Sequence, residues 1–110
     1  MTMPTPPADV TSASNGFPFK QYVWEHNINF VHYAGSYAIP VAYDIADDKL
    51  YALLDQLNGF YFTGGPLNLF DPDGNPHTYY QTCKKIYRYA LRQKDHKGID
   101  WPIFGICQGF

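Results

Sequence analysis

Two short stretches of this 110-residue sequence carry the residue types that acyl transfer requires. The first is Gly105-Ile106-Cys107-Gln108-Gly109, which closes an apolar run beginning at Trp101. Gly-x-Cys-x-Gly is the cysteine form of a nucleophile elbow, where a buried strand turns sharply into a helix and lifts one side chain clear of the sheet. Gly105 and Gly109 suit such a turn because a Cβ at either place would meet neighbouring chain. A thiol at an elbow faces the amide end of the following helix, whose partial positive charge favours the thiolate. Phe110 is the last residue, so that helix is expected to lie outside the sequence, and its dipole with it.

The second stretch is Gly64-Gly65-Pro66, directly after the apolar run Phe60-Tyr61-Phe62-Thr63. Consecutive glycines at a strand's carboxyl end let backbone amides point at a ligand. A tight turn alone accounts for them. Beside an elbow they gain a use, because acyl transfer needs amide donors aimed at the developing oxyanion. Cys107 is therefore the candidate nucleophile, and an amide of the Gly64-Gly65 turn is the candidate oxyanion donor.

The other polar clusters read as structural. His26 and His32 fall on a helical stripe without a partner at metal-ligand spacing. Asp44, Asp47 and Asp48 suit caps and turns. Asp71-Pro72-Asp73-Gly74 opens like a calcium loop but lacks the rest of the ligand set, so no calcium site is expected there.

These residues need elements to hold them. From Phe19 the apolar positions Tyr22, Val23, His26, Phe30 and Val31 follow a helical stripe, with Gly35 ending the helix. Tyr37–Tyr43 reads as a strand made irregular by Pro40. Asp47 or Asp48 is expected to cap a helix that buries Leu50, Leu53, Leu54 and Leu57. Phe60–Thr63 is the next strand. A helix from about His77 to Gln93 is expected to bury Tyr80, Cys83, Ile86, Tyr87, Ala90 and Leu91, and residues 101–107 form the last strand. Alternating helix and strand predicts an α/β fold, a parallel sheet with flanking helices. In such sheets ligands gather at the strands' carboxyl ends, where Gly64-Gly65 and Cys107 both lie.

Residues 1–18, rich in Pro, Thr, Ser and Ala, are expected to form a disordered or extended arm, leaving 19–110 as the single domain. A net charge of −2 gives no electrostatic case for nucleic acid or an anionic membrane. No apolar run reaches the ~18 residues of a membrane span. Aromatics make up 18%, with ten Tyr and eight Phe, and are expected to fill the core and its rim. Two cysteines do not build a disulfide framework.

Two segments together resemble the γ-glutamyl hydrolase family, relatives of the class I glutamine amidotransferases. Leu57-Asn58-Gly59-Phe60-Tyr61-Phe62-Thr63-Gly64-Gly65 is similar to that family's Asn-Gly-(apolar)₃-x-Gly-Gly. Trp101–Phe110 is similar to its Pro-(apolar)₂-Gly-x-Cys-Leu-Gly-Phe, with Gln108 in place of Leu. Ala34-Gly35 and Ile39-Pro40-Val41 fit the family's first helix and second strand, so the resemblance covers roughly residues 19–110.

The resemblance implies a flavodoxin-like, class I glutamine amidotransferase-like sheet, here incomplete at both ends. It also implies hydrolysis of γ-glutamyl bonds, of the folyl-poly-γ-glutamate type, by the Cys107 nucleophile without metal or cofactor, with the amides of Gln108 and of Gly64 or Gly65 holding the oxyanion. The substrate would be a small-molecule or peptide γ-glutamyl compound. The resemblance carries a histidine base far downstream of the elbow, and none of His26, His32, His77 or His96 matches it. The chain is thus expected to be an amino-terminal portion with little or no activity alone. An unpaired edge is expected on its sheet, open to a second copy or another chain. A glutaminase of the amidotransferase type shares the elbow, and a non-catalytic half-domain serving as a binding or assembly module shares the fold; both stay open. The family is usually secreted, lysosomal or vacuolar, whereas Met1–Pro7 has no secretory pattern, so the compartment stays open as well.

Overall fold

In the computed structural model, residues 1–4 and 20–110 are described. The elements in chain order are β1 (Met3–Pro4), β2 (Gln21–Tyr22), α1 (Glu25–Tyr33), α2 (Asp47–Leu54), β3 (Phe60–Phe62), α3 (Thr78–Lys97) and β4 (Ile103–Gly105), followed by a 3₁₀ turn over Cys107–Gly109. β3 and β4 are parallel, with Phe60 opposite Ile103, Tyr61 opposite Phe104 and Phe62 opposite Gly105. β1 and β2 form a separate antiparallel pair. The molecule is a small α/β fold with a parallel strand pair and three helices.

The pleat of β3 sorts its aromatics onto two faces. Phe60 and Phe62 are buried with Leu50 and Leu54 of α2 and Tyr79, Ile86, Tyr89 and Ala90 of α3. Trp101 bridges the layers, its ring 6.3 Å from that of Phe60 and 5.2 Å from that of Tyr89. Its indole N–H donates to Leu57 O at 2.8 Å. Tyr61 turns to the other face, where its hydroxyl donates to Asn27 of α1 at 2.8 Å and its ring meets Phe30. Phe104 of β4 stacks on Phe30, and both rings remain about half exposed.

α3 buries Ile86 and Ala90 as expected, but the rest of its inward face is rotated from the expected one. Tyr79, Thr82, Ile86, Tyr89, Ala90 and Gln93 point inward, while Tyr87 and Leu91 are exposed and Tyr80 and Cys83 are half-buried. The helix carries two apolar stripes about a residue apart, and hydrogen bonding selects between them. Tyr89 donates to Asp55 at 2.8 Å, Thr82 to Tyr43 O at 2.7 Å and Tyr79 to Thr63 O at 3.5 Å. Polar atoms with partners can be buried at little cost. The helix also runs to Lys97, ending where Gly98 adopts φ 65° and the Gly98 and Ile99 amides close back on Lys94 and Gln93.

Other expectations also need correction. Tyr37–Tyr43 forms no strand: Pro40 lacks an amide donor, and Val41 and Tyr43 bond instead to Thr2. Tyr37 and Ile39 are exposed, whereas Val41 is in the core. α1 begins at Glu25, since Gln21–Tyr22 is taken by β2, and the residue it buries is Asn27. α2 is capped by Ala46 without a side-chain bond; Asp47 and Asp48 occupy its first turn, where they suit the dipole. Within α2 Leu50 and Leu54 are fully buried, with Leu53 and Leu57 partly so.

The expected arm 1–18 lies outside the described residues apart from its first four. Those four are ordered: Met1 and Met3 are core residues, and the Met1 amine donates to Tyr61 O at 3.0 Å. This segment takes the edge of β3 opposite β4. Among the described residues β4 pairs with β3 alone.

Candidate functional site

Because β3 and β4 are parallel, their carboxyl ends share one rim. The ladder continues one step past the strands, with Ile106 N donating to Phe62 O at 3.2 Å. Thr63-Gly64-Gly65 then leaves one strand as Cys107 leaves the other. The two chains come so close that a Cβ built on Gly64 would stand 2.9 Å from Cys107 Cβ and 3.4 Å from its Sγ. Only a residue without a side chain lets the main chain lie against this thiol.

Cys107 is exposed, and its φ of 54° makes it the one non-glycine residue in the left-handed region among those described. That conformation costs a residue with a Cβ roughly 1–2 kcal/mol, and such strain concentrates at functional sites. The flanking glycines hold the turn in place. A Cβ on Gly105 would fall 2.4 Å from Gly109 O, and one on Gly109 would fall 2.3 Å from Phe62 O. The 3₁₀ turn therefore folds directly across the β3–β4 pair. The expected helix is represented by this single turn, closed by Gly109 N to Ile106 O at 2.8 Å and Phe110 N to Cys107 O at 3.1 Å.

Among the described residues the amides of Gly64, Gly65 and Gln108 donate no hydrogen bond. Of these, Gly64 lies directly against the exposed thiol and Gln108 follows it in sequence. The side chain of Gln108 has a role that spacing did not reveal. Its Oε1 accepts from Leu67 N at 3.1 Å, and its Nε2 donates to Leu67 O. A carboxamide next to a nucleophile has no signature in sequence, because its partner is main chain 41 residues away.

Two of the four histidines are engaged elsewhere. His77 caps α3 by accepting from Tyr79 N at 3.0 Å, and His26 stacks on Trp24. Among the described residues no histidine hydrogen-bonds Cys107, and no cluster of His, Cys, Asp and Glu could hold a metal ion. The other thiol, Cys83, is half-buried on α3, where burial pushes it up to about 11. Two clefts of about 610 and 540 Å³ flank the molecule. One lies between Met3 and the 66–78 loop, the other between α1 and Phe60–Tyr61, and Cys107 lines neither. No helix among the described residues is long and apolar enough to cross a membrane.

Comparison with known proteins matches the Peptidase C26 family model over residues 9–110. The chain is 33% identical to gamma-glutamyl hydrolase 1 of Arabidopsis thaliana over 89 residues, 81% of this chain and 23% of that protein. It is 28% identical to gamma-glutamyl hydrolase of Bos taurus and 26% identical to that of Homo sapiens, each over 91 residues, 83% of this chain and 27% of theirs. The chain thus spans about a quarter of the length of these relatives. No solved structure is matched at a significant level. The matched span takes in both the Gly64-Gly65 turn and Cys107, and the chain belongs to the Peptidase C26 family, that of the γ-glutamyl hydrolases.

Proposed function

We propose that this chain supplies the nucleophile and the oxyanion donors of a cysteine-dependent γ-glutamyl hydrolase. In this reading β3, β4 and their helices form part of a flavodoxin-like, class I glutamine amidotransferase-like sheet. One observation carries it: an exposed thiol on a strained left-handed turn, packed against a glycine whose amide is unpartnered among the described residues.

The chemistry follows from that arrangement. The Cys107 thiolate adds to the γ-carbonyl carbon, forming a C–S bond while the carbonyl π pair moves onto oxygen. The amides of Gln108 and of Gly64 or Gly65 hold that oxyanion, and one such donor contributes roughly 100-fold or more in rate. When the pair returns, the C–N bond breaks and the leaving amine takes up the proton the thiol gave away. Water then adds to the thioester, releasing the γ-carboxylate and returning the thiol. The described residues place no base in hydrogen-bond contact with the sulfur, so the 110-residue chain alone should release little or no glutamate from a γ-glutamyl peptide.

Capture of the nucleophile tests the reading without turnover. A γ-glutamyl chloromethyl ketone should alkylate Cys107 of the purified chain faster than a plain alkyl chloromethyl ketone does, and Cys107→Ala should abolish labelling. Equal rates for the two ketones, or equal labelling of Cys83, would remove the hydrolase reading. Faster labelling when the α-amine of the ketone is free, as in glutamine, than when it is acylated, as within a γ-glutamyl chain, would point to a glutaminase instead.

A further inference from the structure

We propose that Gln108 is a positioning residue, whose side chain fixes the Gly64-Gly65 turn against the nucleophile by gripping the main chain of Leu67. The inference rests on the hydrolase reading and extends it. Gln108 Oε1 accepts the Leu67 N–H at 3.1 Å while Nε2 donates to the Leu67 carbonyl oxygen, so one carboxamide satisfies both polar groups of one residue. This is the pattern of a rung in a β-ladder, made by a side chain across 41 residues of sequence.

The turn needs such a hold. Two consecutive glycines are the least constrained dipeptide the chain offers. On the amino-terminal side they are anchored through Phe62, whose carbonyl accepts from Ile106 N at 3.2 Å. On the carboxyl-terminal side comes Pro66, which has no N–H to donate and whose ring fixes its own φ. Leu67 is the first residue beyond the glycines with an amide to tether, and Gln108 tethers it. Pro66, with a single free backbone dihedral, passes the constraint back to Gly65. The tether starts from the residue next to Cys107, so the distance between the thiol and the glycine amides is set by a short path whose one non-covalent step is the Gln108–Leu67 pair of hydrogen bonds. Gln108 would then serve the oxyanion site twice, with its backbone amide as a donor and with its side chain holding the opposing donors in place.

The experiment compares the unsubstituted 110-residue chain with Gln108→Leu, which keeps the size and removes both polar atoms, and with Gln108→Glu, which keeps one acceptor. Two readouts are taken. The first is hydrogen–deuterium exchange at the Leu67 amide. The second is the rate of Cys107 alkylation by the γ-glutamyl chloromethyl ketone divided by its rate with iodoacetamide, which needs no oxyanion donor. Exchange at Leu67 should speed up about tenfold in Gln108→Leu, as expected for loss of a hydrogen bond of ordinary strength. The alkylation ratio should fall about tenfold, less than the roughly 100-fold loss of a whole donor. Gln108→Glu should fall between the two, and it serves alone if the leucine variant does not fold. Faster exchange with an unchanged ratio would reduce Gln108 to a structural contact and overturn the proposal. Unchanged exchange would mean there is no tether. If the unsubstituted chain itself shows no preference for the γ-glutamyl ketone, the hydrolase reading fails first and takes the positioning role with it.

Discussion

Cys83 and Cys107 are one functional group in two settings. Cys83 sits in the middle of the 20-residue helix α3, on regular backbone, half-buried beside Tyr79. Cys107 stands on a three-residue turn with φ 54°, exposed, with glycines on both sides and a third packed against it. The helix shields its thiol against the hydrophobic core. The turn spends backbone strain and close main-chain contacts to hold its thiol in the open. Presentation, more than the residue itself, separates an inert cysteine from a candidate nucleophile.

The sharpest test of that contrast leaves both cysteines untouched. Gly109→Ala puts a Cβ 2.3 Å from the Phe62 carbonyl oxygen, which is main chain of β3 and cannot swing aside. Overpacking of this kind typically costs about 1–3 kcal/mol and occasionally more, so we expect about 3 kcal/mol of lost stability in urea denaturation. An alanine variant as stable as the parent would mean the turn is looser than its geometry. Reactivity should differ nearly as much. Moving a thiol from its ordinary value of 9.0 to about 11 lowers its thiolate about 100-fold at neutral pH. Iodoacetamide at pH 7 should therefore modify Cys107→Ala, whose remaining thiol is half-buried and raised, more slowly than Cys83→Ala, whose remaining thiol is exposed, as followed by mass spectrometry. Comparable rates would erase the distinction between the two settings.

How much of this was legible beforehand depends on how local the cause was. β3 and β4 were legible because short aromatic and aliphatic runs end at glycines, and parallel pairing then brings Gly64 to Cys107 on one rim. The collisions at Gly105 and Gly109 follow from the same turn. The face of α3 was not legible, since apolarity alone fits two stripes and the choice rests on hydroxyls meeting Asp55, Tyr43 O and Thr63 O from other parts of the chain. Tyr37–Tyr43 has strand composition, yet its neighbour proved to be Thr2, which offers a few bonds and no ladder. The burial of Met1 and Met3 inside a segment of otherwise polar composition had no periodic signal. The Gln108 tether had none either, because a side chain bonding to remote main chain leaves no spacing to read.

A paired substitution separates strain from packing. Cys107→Gly removes an exposed side chain from a left-handed residue and should stabilise the chain by up to about 1 kcal/mol. Cys83→Gly puts the same residue inside a helix and removes a half-buried sulfur, so it should destabilise by about 1–2 kcal/mol. Opposite signs for one chemical change, measured by thermal unfolding, would locate the stored strain at the turn. Destabilisation at both sites would say that Cys107 is not strained.

Alkaline unfolding gives the smallest and most specific effect, confined to the helix. Burial raises the Cys83 thiol to about 11, and burial likewise pushes the neighbouring Tyr79 hydroxyl well above its usual range. The folded chain then keeps these protons at a pH where the unfolded chain has begun to release them. The share of stability carried by these two groups is therefore complete below about pH 9 and declines as pH rises through 11. Cys83 is only partly shielded from solvent, so its share should be on the order of 1 kcal/mol after discounting for screening. Cys83→Ala should remove that share between pH 9 and 11 while leaving the tyrosine contribution above it, so the urea midpoints of the two chains should converge across this window. Parallel decline of Cys83→Ala and the parent chain would show that the helical thiol is more open to water than its setting on α3 implies.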